Sequence, residues 1–180
     1  MARLFAAIFP SDEAKEHLVS ALRPIRDVSR QEIRWTDPDN WHVTLAFYGD
    51  QPNDAADISD YLAQVAAFQS PRTVHLRGAG AFEGRTLWAG LGGDKLTDLM
   101  VEAAALIDDP RPRNRPHLTI GRTGRRLRDP YALPDIVHAL SVYRGPDFAV
   151  DEICLVQSFL GQGRSGGPRY EVLERFPASL

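Results

Sequence analysis

Two stretches decide how this chain reads: Trp41-His42-Val43-Thr44-Leu45-Ala46-Phe47-Tyr48-Gly49 and Arg115-Pro116-His117-Leu118-Thr119-Ile120-Gly121-Arg122. Each contains one tetrad, His42-Val43-Thr44-Leu45 and His117-Leu118-Thr119-Ile120, patterned His, apolar, Thr, apolar and set 75 residues apart. Their β-branched and aromatic content, bounded by glycine, predicts short strands. Side chains on a strand alternate faces, so His42 and Thr44 share one face while Val43 and Leu45 point inward. His117 and Thr119 stand in the same way above Leu118 and Ile120. Each tetrad follows a strand, a helix and a loop, so the chain reads as two copies of one unit. Two such units facing each other across a pseudo-two-fold axis bring the tetrads together in a central groove.

Outward from the tetrads, Arg3 to Phe9 is an apolar strand closed by Pro10. Ser11 is placed to cap a helix, with Asp12 and Glu13 in its first turn, where the helix dipole favours acids. Ala14, Leu18, Leu22 and Ile25 recur at helical spacing, and Pro24 is expected to end or kink that helix. Ile33 to Thr36 is a short extended piece. A second helix is predicted over Asp54 to Phe68, strands over Thr73 to Gly78 and Thr86 to Leu91, and a third helix through Leu96, Leu99, Met100, Ala103 and Leu106. A weaker helix falls in Pro130 to Val142. Phe148 to Phe159 reads as one long strand, joined by the glycine-rich 161–167 loop to an antiparallel partner, Tyr170 to Phe176. The glycine-rich hairpins argue for antiparallel pairing, hence an α+β fold of two pseudo-symmetric lobes around a central cleft. No low-complexity linker divides the chain, so residues 1–180 read as one domain.

At 180 residues, 43% hydrophobic and 25% charged, the composition excludes a disordered chain, a collagen-like fibre and a disulfide scaffold. The apolar run Leu4 to Phe9 is too short for a signal segment or a membrane span, and the lone Cys154 cannot form an internal disulfide. These features suggest a cytoplasmic, reducing compartment, no membrane partner and a monomer. Net charge is −3, which excludes a bulk nucleic-acid coat. Yet Arg111, Arg113, Arg115, Arg122, Arg125, Arg126 and Arg128 form a carboxylate-free basic segment around the second tetrad. Such a run is either a solvated loop or a field for an anionic ligand.

The paired tetrads suit one kind of chemistry. A neutral imidazole can take a proton from water while a protonated one gives a proton to a departing oxygen. Threonine hydroxyls and an arginine can hold phosphate oxygens as charge develops. Histidines on neighbouring strands also bind zinc, but neither tetrad carries a Cys, Asp or Glu at metal-ligand spacing, so no metal and no cofactor are expected. Cys154 alternates with apolar neighbours and reads as a small core residue. His17 and His138 read as surface or boundary residues, and His75 has no Thr two residues on and lacks the tetrad. For Trp35, Trp41 and Trp88, groove lining and core filling both stay open.

The tetrad pair, together with residues 3–8, 41–49, 115–122 and the hairpin from Ile153 to Phe176, resembles the two-histidine phosphoesterase superfamily. The likeness spans nearly the whole chain, and within the superfamily it points to the RNA 2′,3′-cyclic phosphodiesterases, also called 2′-5′ RNA ligase-like proteins. That resemblance implies His42 as proton donor, His117 as proton acceptor, and Thr44 and Thr119 at the phosphate. It implies hydrolysis of RNA or oligonucleotide ends carrying a 2′,3′-cyclic phosphate to 2′-phosphates, with 2′-5′ ligation in some members. Phe47 and Arg122, each five residues after a histidine, are second-tier substrate-binding candidates. Strict alternation puts both on the wrong face, so each needs a twist or bulge. The alternatives are a non-catalytic nucleotide- or RNA-binding module of the same fold, and a cyclic phosphodiesterase for a small nucleotide.

Overall fold

The computed structural model describes residues 1–28, 32–52, 55–107, 115–124 and 129–180. In chain order its elements are β1 (Ala2–Ile8), α1 (Asp12–Val28), β2 (Ile33–Trp35), β3 (Val43–Gln51), α2 (Ala56–Ala67), β4 (Arg72–Phe82) and β5 (Thr86–Gly93). They continue with α3 (Thr97–Ala103), β6 (His117–Thr123), α4 (Ala132–Ala139), β7 (Arg144–Val150), β8 (Glu152–Phe159) and β9 (Arg169–Pro177). Among the described residues the strands form one sheet in the order β7-β4-β5-β6-β3-β1-β8-β9, with β2 paired to β6, and every pairing is antiparallel.

The α+β antiparallel architecture is the expected one, with one refinement. The two halves, β3-β1-β8-β9 and β6-β5-β4-β7, are joined edge to edge at a single residue pair, Val43 opposite Leu118. That seam lies inside the two tetrads. The order strand, helix, tetrad strand, helix occurs twice, as β1-α1-β3-α2 and β5-α3-β6-α4. The first helix of each unit packs on the other half: α1 on β7 and α3 on β3. The two copies are therefore interlocked.

Local chemistry explains the main elements. In α1, Ala14, Leu18 and Leu22 are buried at four-residue spacing, and the Ala14 amide donates to Ser11 Oγ at 3.2 Å as an N-cap. The helix does not stop at Pro24 but continues to Val28, so the expected ending there is not met. The third helix ends at Ala103, earlier than its apolar spacing predicts, and Leu106 is left exposed.

A larger correction concerns Phe148 to Phe159. It is two strands, broken at Asp151: β7 pairs with β4 at one end of the sheet, while β8 pairs with β1 in the other half. Apolar content alone cannot reveal that the chain changes half-sheets at this point.

The sheet separates two apolar clusters. The large one takes every buried helix residue together with Leu4, Ala6, Ile8, Val43, Leu45, Leu118 and Ile120. The small one lies on the other face and holds Phe5, Ala7, Cys154 and Val156, with Phe9, Phe47, Tyr170 and Val172 packed against it. Among the described residues no helix side chain belongs to that second cluster, which lies on the face the tetrad histidines share.

Candidate active site

Each tetrad strand carries the same irregularity at the same place. Against β1, Thr44 pairs with Ala7 and Ala46 with Ala6, so Leu45 is an extra residue on β3. Against β5, Thr119 pairs with Trp88 and Gly121 with Leu87, so Ile120 is an extra residue on β6. A bulge shifts the side-chain alternation by one. Phe47 then comes opposite Phe5, and Arg122 opposite Thr86, on the face that His42, Thr44, His117 and Thr119 occupy. This is the bulge the sequence required. Val43, Leu45, Leu118 and Ile120 are fully buried, which fixes the polar residues between them toward the groove.

The two imidazoles are held alike. His42 Nδ1 lies 2.8 Å from the Asn40 carbonyl, and His117 Nδ1 lies 3.0 Å from the Arg115 carbonyl. Each ring thus bonds the backbone two residues earlier. Because a carbonyl only accepts, Nδ1 carries hydrogen and the Nε2 lone pair of the neutral ring is free for proton transfer.

Each supporting residue is itself tethered. The Asn40 side chain donates to the Pro168 carbonyl at 3.0 Å, which ties the end of the β8–β9 loop to His42. The Arg115 guanidinium lies 5.5 Å from the centre of the Trp88 ring. Nothing in the residue pattern marks these carbonyl holds, because they depend on backbone direction.

Surroundings separate the two rings. His42 is flanked by Phe5, Tyr170 and Phe9, with ring centroids at 4.9, 5.0 and 6.2 Å. Burial lowers its pKa below the ordinary histidine value, against the opposing pull of the Asn40 hydrogen bond, and the His117 charge adds a smaller lowering. The ring keeps some solvent contact at its groove edge, while protein encloses the rest.

His117 meets Phe82 edge-on at 4.8 Å and Trp88 at 6.2 Å. Trp88 lies flat over Gly80, where a Cβ would come within 2.2 Å of its ring. Arg122 is exposed. Burial raises the Tyr170 pKa, and the Arg122 charge opposes that rise.

Of the basic segment, Arg115 and Arg122 stand at this site, while Arg111, Arg113, Arg125, Arg126 and Arg128 lie outside the described residues. Cys154 is buried on the groove side, and burial followed by the Glu152 charge pushes its thiol to about 12, far from a thiolate nucleophile. Trp41 is core, and Trp35 packs on the helix side. A hollow of about 390 Å³ between α1 and Trp35, lined by Val19, Arg23, Arg26 and Asp27, holds none of the tetrad residues. Among the described residues no three His, Cys, Asp or Glu side chains converge as metal ligands, and no helix is long and apolar enough to cross a membrane. Phe5, Phe9, Tyr170 and Phe82 escaped the sequence reading. For the first two, the available signal was their even spacing with Ala7, which puts Phe5 and Phe9 on one face of the strand.

Two histidines on bulged, apposed strands, each with a threonine two residues on, define a two-histidine phosphoesterase. Comparison with known proteins agrees. The family model described as LigT like Phosphoesterase matches residues 8–88. An RNA 2′,3′-cyclic phosphodiesterase of Aquifex aeolicus is 31% identical over 79% of this chain and 80% of that protein. One of Geobacillus stearothermophilus is 32% identical over 96% of this chain and 56% of that protein. Among solved structures, E. coli LigT in apo form aligns with a TM-score of 0.72 and 25% identity over 98% of this chain and 96% of that one. The chain belongs to the LigT-like phosphoesterase family.

Proposed function

We propose that the protein hydrolyses RNA 2′,3′-cyclic phosphate ends to 2′-phosphates. The observation that carries this reading is the matched pair of imidazoles, each held through Nδ1 on a bulged strand beside a threonine, facing one groove. Relatives named RNA 2′,3′-cyclic phosphodiesterases support the substrate class. The whole chain acts as one catalytic unit, each half of the sheet supplying one tetrad. Water attacks phosphorus as its proton passes to His117 Nε2. The P–O3′ bond breaks, and O3′ takes the proton held by His42 Nε2. Thr44 and Thr119 donate to the non-bridging oxygens and Arg122 holds the phosphate charge. Phe47 borders the nucleoside. No side-chain nucleophile takes part. After one turnover the two rings have exchanged protonation states, and solvent resets them. An RNA 5′-hydroxyl in place of water makes a 2′-5′ linkage by the same bond changes.

One observation favours the opposite division of labour. A ring enclosed by Phe5, Phe9 and Tyr170, with its pKa lowered by burial, is neutral at neutral pH and ready to accept a proton. A substrate with sulfur in place of the bridging O3′ decides between them, because a thiolate leaves without an acid. Alanine at the proton donor then costs little, and alanine at the acceptor still costs the full amount.

The activity itself is tested with a short RNA ending in 2′,3′-cyclic phosphate. A 2′-phosphate product is expected. A 3′-phosphate product, or tight binding without turnover, overturns the reading.

A further inference from the structure

We infer that the groove face of the β6-β5-β4-β7 half is a track for the RNA strand that precedes the cyclic end, with Arg77 and Arg144 holding its phosphates. The inference rests on the function proposed above and names where the rest of the substrate lies.

The register supplies the geometry. His117 stands opposite Gly90 on β5, Gly90 opposite Arg77 on β4, and Arg77 opposite Arg144 on β7. Strands lie about 4.8 Å apart, so this row carries positive charge about 10 and 15 Å away from the catalytic histidine. Both arginines are exposed. The Arg77 side chain lies on the groove face, because a Cβ built on Gly92 would come within 2.6 Å of its Cδ. Gly90 puts no side chain of its own between His117 and Arg77, and the Trp88 ring borders the row there, 3.5 Å from where a Cβ on Gly90 would stand.

Charge supplies the partner. Among the described residues Arg77 forms no ion pair with a carboxylate, and its charge is free for an anion. Arg144 shares Asp147 with His75, at 3.1 Å each. It is the weaker contact of the two, since one carboxylate offsets it. In the other half the row through the tetrad threonine runs Thr44, Ala7, Cys154, Arg175. It is apolar up to Arg175, which pairs with Glu152. On the groove face of that half Arg3 lies over the Phe47 ring, 4.8 Å from its centre. A polyanion leaving the seam therefore meets a row of two arginines in one direction and, in the other, a mainly apolar face whose arginines rest on Phe47 and Glu152. Arginines spaced along an open strand face suit a single-stranded RNA backbone, whose phosphates recur along the chain.

The experiment compares two substrates of the same chemistry: a 2′,3′-cyclic mononucleotide, and a single-stranded RNA of about ten nucleotides ending in 2′,3′-cyclic phosphate. Arg77→Ala should lower kcat/KM on the oligonucleotide by about ten-fold at low salt, as expected for one lost charged contact. It should leave the mononucleotide unchanged within about two-fold. Arg77→Ala/Arg144→Ala should lose more, and should flatten the salt dependence on the oligonucleotide by about 0.7 in log–log slope per phosphate contact removed. Arg175→Ala should change neither substrate. If Arg77→Ala leaves the oligonucleotide unchanged, or weakens both substrates equally, the track is overturned while the phosphodiesterase reading stands. If the wild-type protein turns over neither substrate, that reading fails and the track falls with it.

Discussion

The two halves of the sheet carry the same catalytic device in different settings. Each has a histidine bonded through Nδ1 to the backbone two residues earlier, a threonine beside it and a bulge at the fourth tetrad position. Around His42 the setting is aromatic, with Phe5, Phe9 and Tyr170. Around His117 it is more open, with Phe82 and Trp88 on one side and Arg115 and Arg122 near by. The shared device is what the proposed chemistry calls for, namely two oriented proton carriers. The difference in setting is what would let a symmetric frame perform an asymmetric reaction. Burial disfavours charge on one ring, and cations gather on the other side to meet an anionic substrate.

The sharpest way to break the comparison is to remove either ring. His42→Ala and His117→Ala should each lower kcat by about 10²–10⁴-fold, the range for one positioned acid or base. The double variant should lose less than the product, because the groups act as a unit. Single-turnover kinetics on a cyclic-phosphate oligonucleotide checks this. A folded and fully active His42→Ala protein would contradict the paired mechanism.

Next in size are the threonines. Thr44→Ala and Thr119→Ala should each lose about 1–3 kcal/mol of transition-state stabilisation if each hydroxyl bonds a charged oxygen. Serine at either place should restore most of it. Equal losses mean that the phosphate sits evenly across the seam, and unequal losses show which half holds it.

Gly80→Ala tests the packing behind His117. Its new methyl must displace the Trp88 ring. Overpacking of this kind costs about 1–3 kcal/mol, read as a lower denaturant midpoint. It should also disturb the His117 resonances more than those of His42.

The smallest expected effect is on pH dependence. His42 has a folded-state pKa below its unfolded value near 6.5, so its unfolded form binds the proton more readily. Its contribution to stability is complete above that value and is lost as pH falls through the folded pKa. The denaturant midpoint of the wild type should therefore drop more steeply below pH about 6.5 than that of His42→Gln. Phe5→Ala, which opens the aromatic enclosure, should move the His42 titration in NMR back toward 6.5.

The tetrads, their face and the antiparallel α+β class were legible because alternation and residue type are local properties of a strand. His42 and Thr44 stand over Val43 and Leu45 as the spacing requires. Phe47 and Arg122 mark the boundary of that legibility: their positions demanded a bulge, and only the strand register located it at Leu45 and Ile120. The segment from Phe148 to Phe159 marks another, since its apolar run continues through two strands at different places in the sheet.

The sequence by itself determined which residues are candidates for the chemistry, because two imidazoles and two hydroxyls at strand spacing are written in the order of the chain. Tertiary structure alone decided what distinguishes them. Phe5, Phe9 and Tyr170 come to His42 from β1, the turn after it and β9, and the second half's arginines align only when β4 and β7 pair. Burial and electrostatic coupling depend on distance in space, and residues far apart in the chain set both.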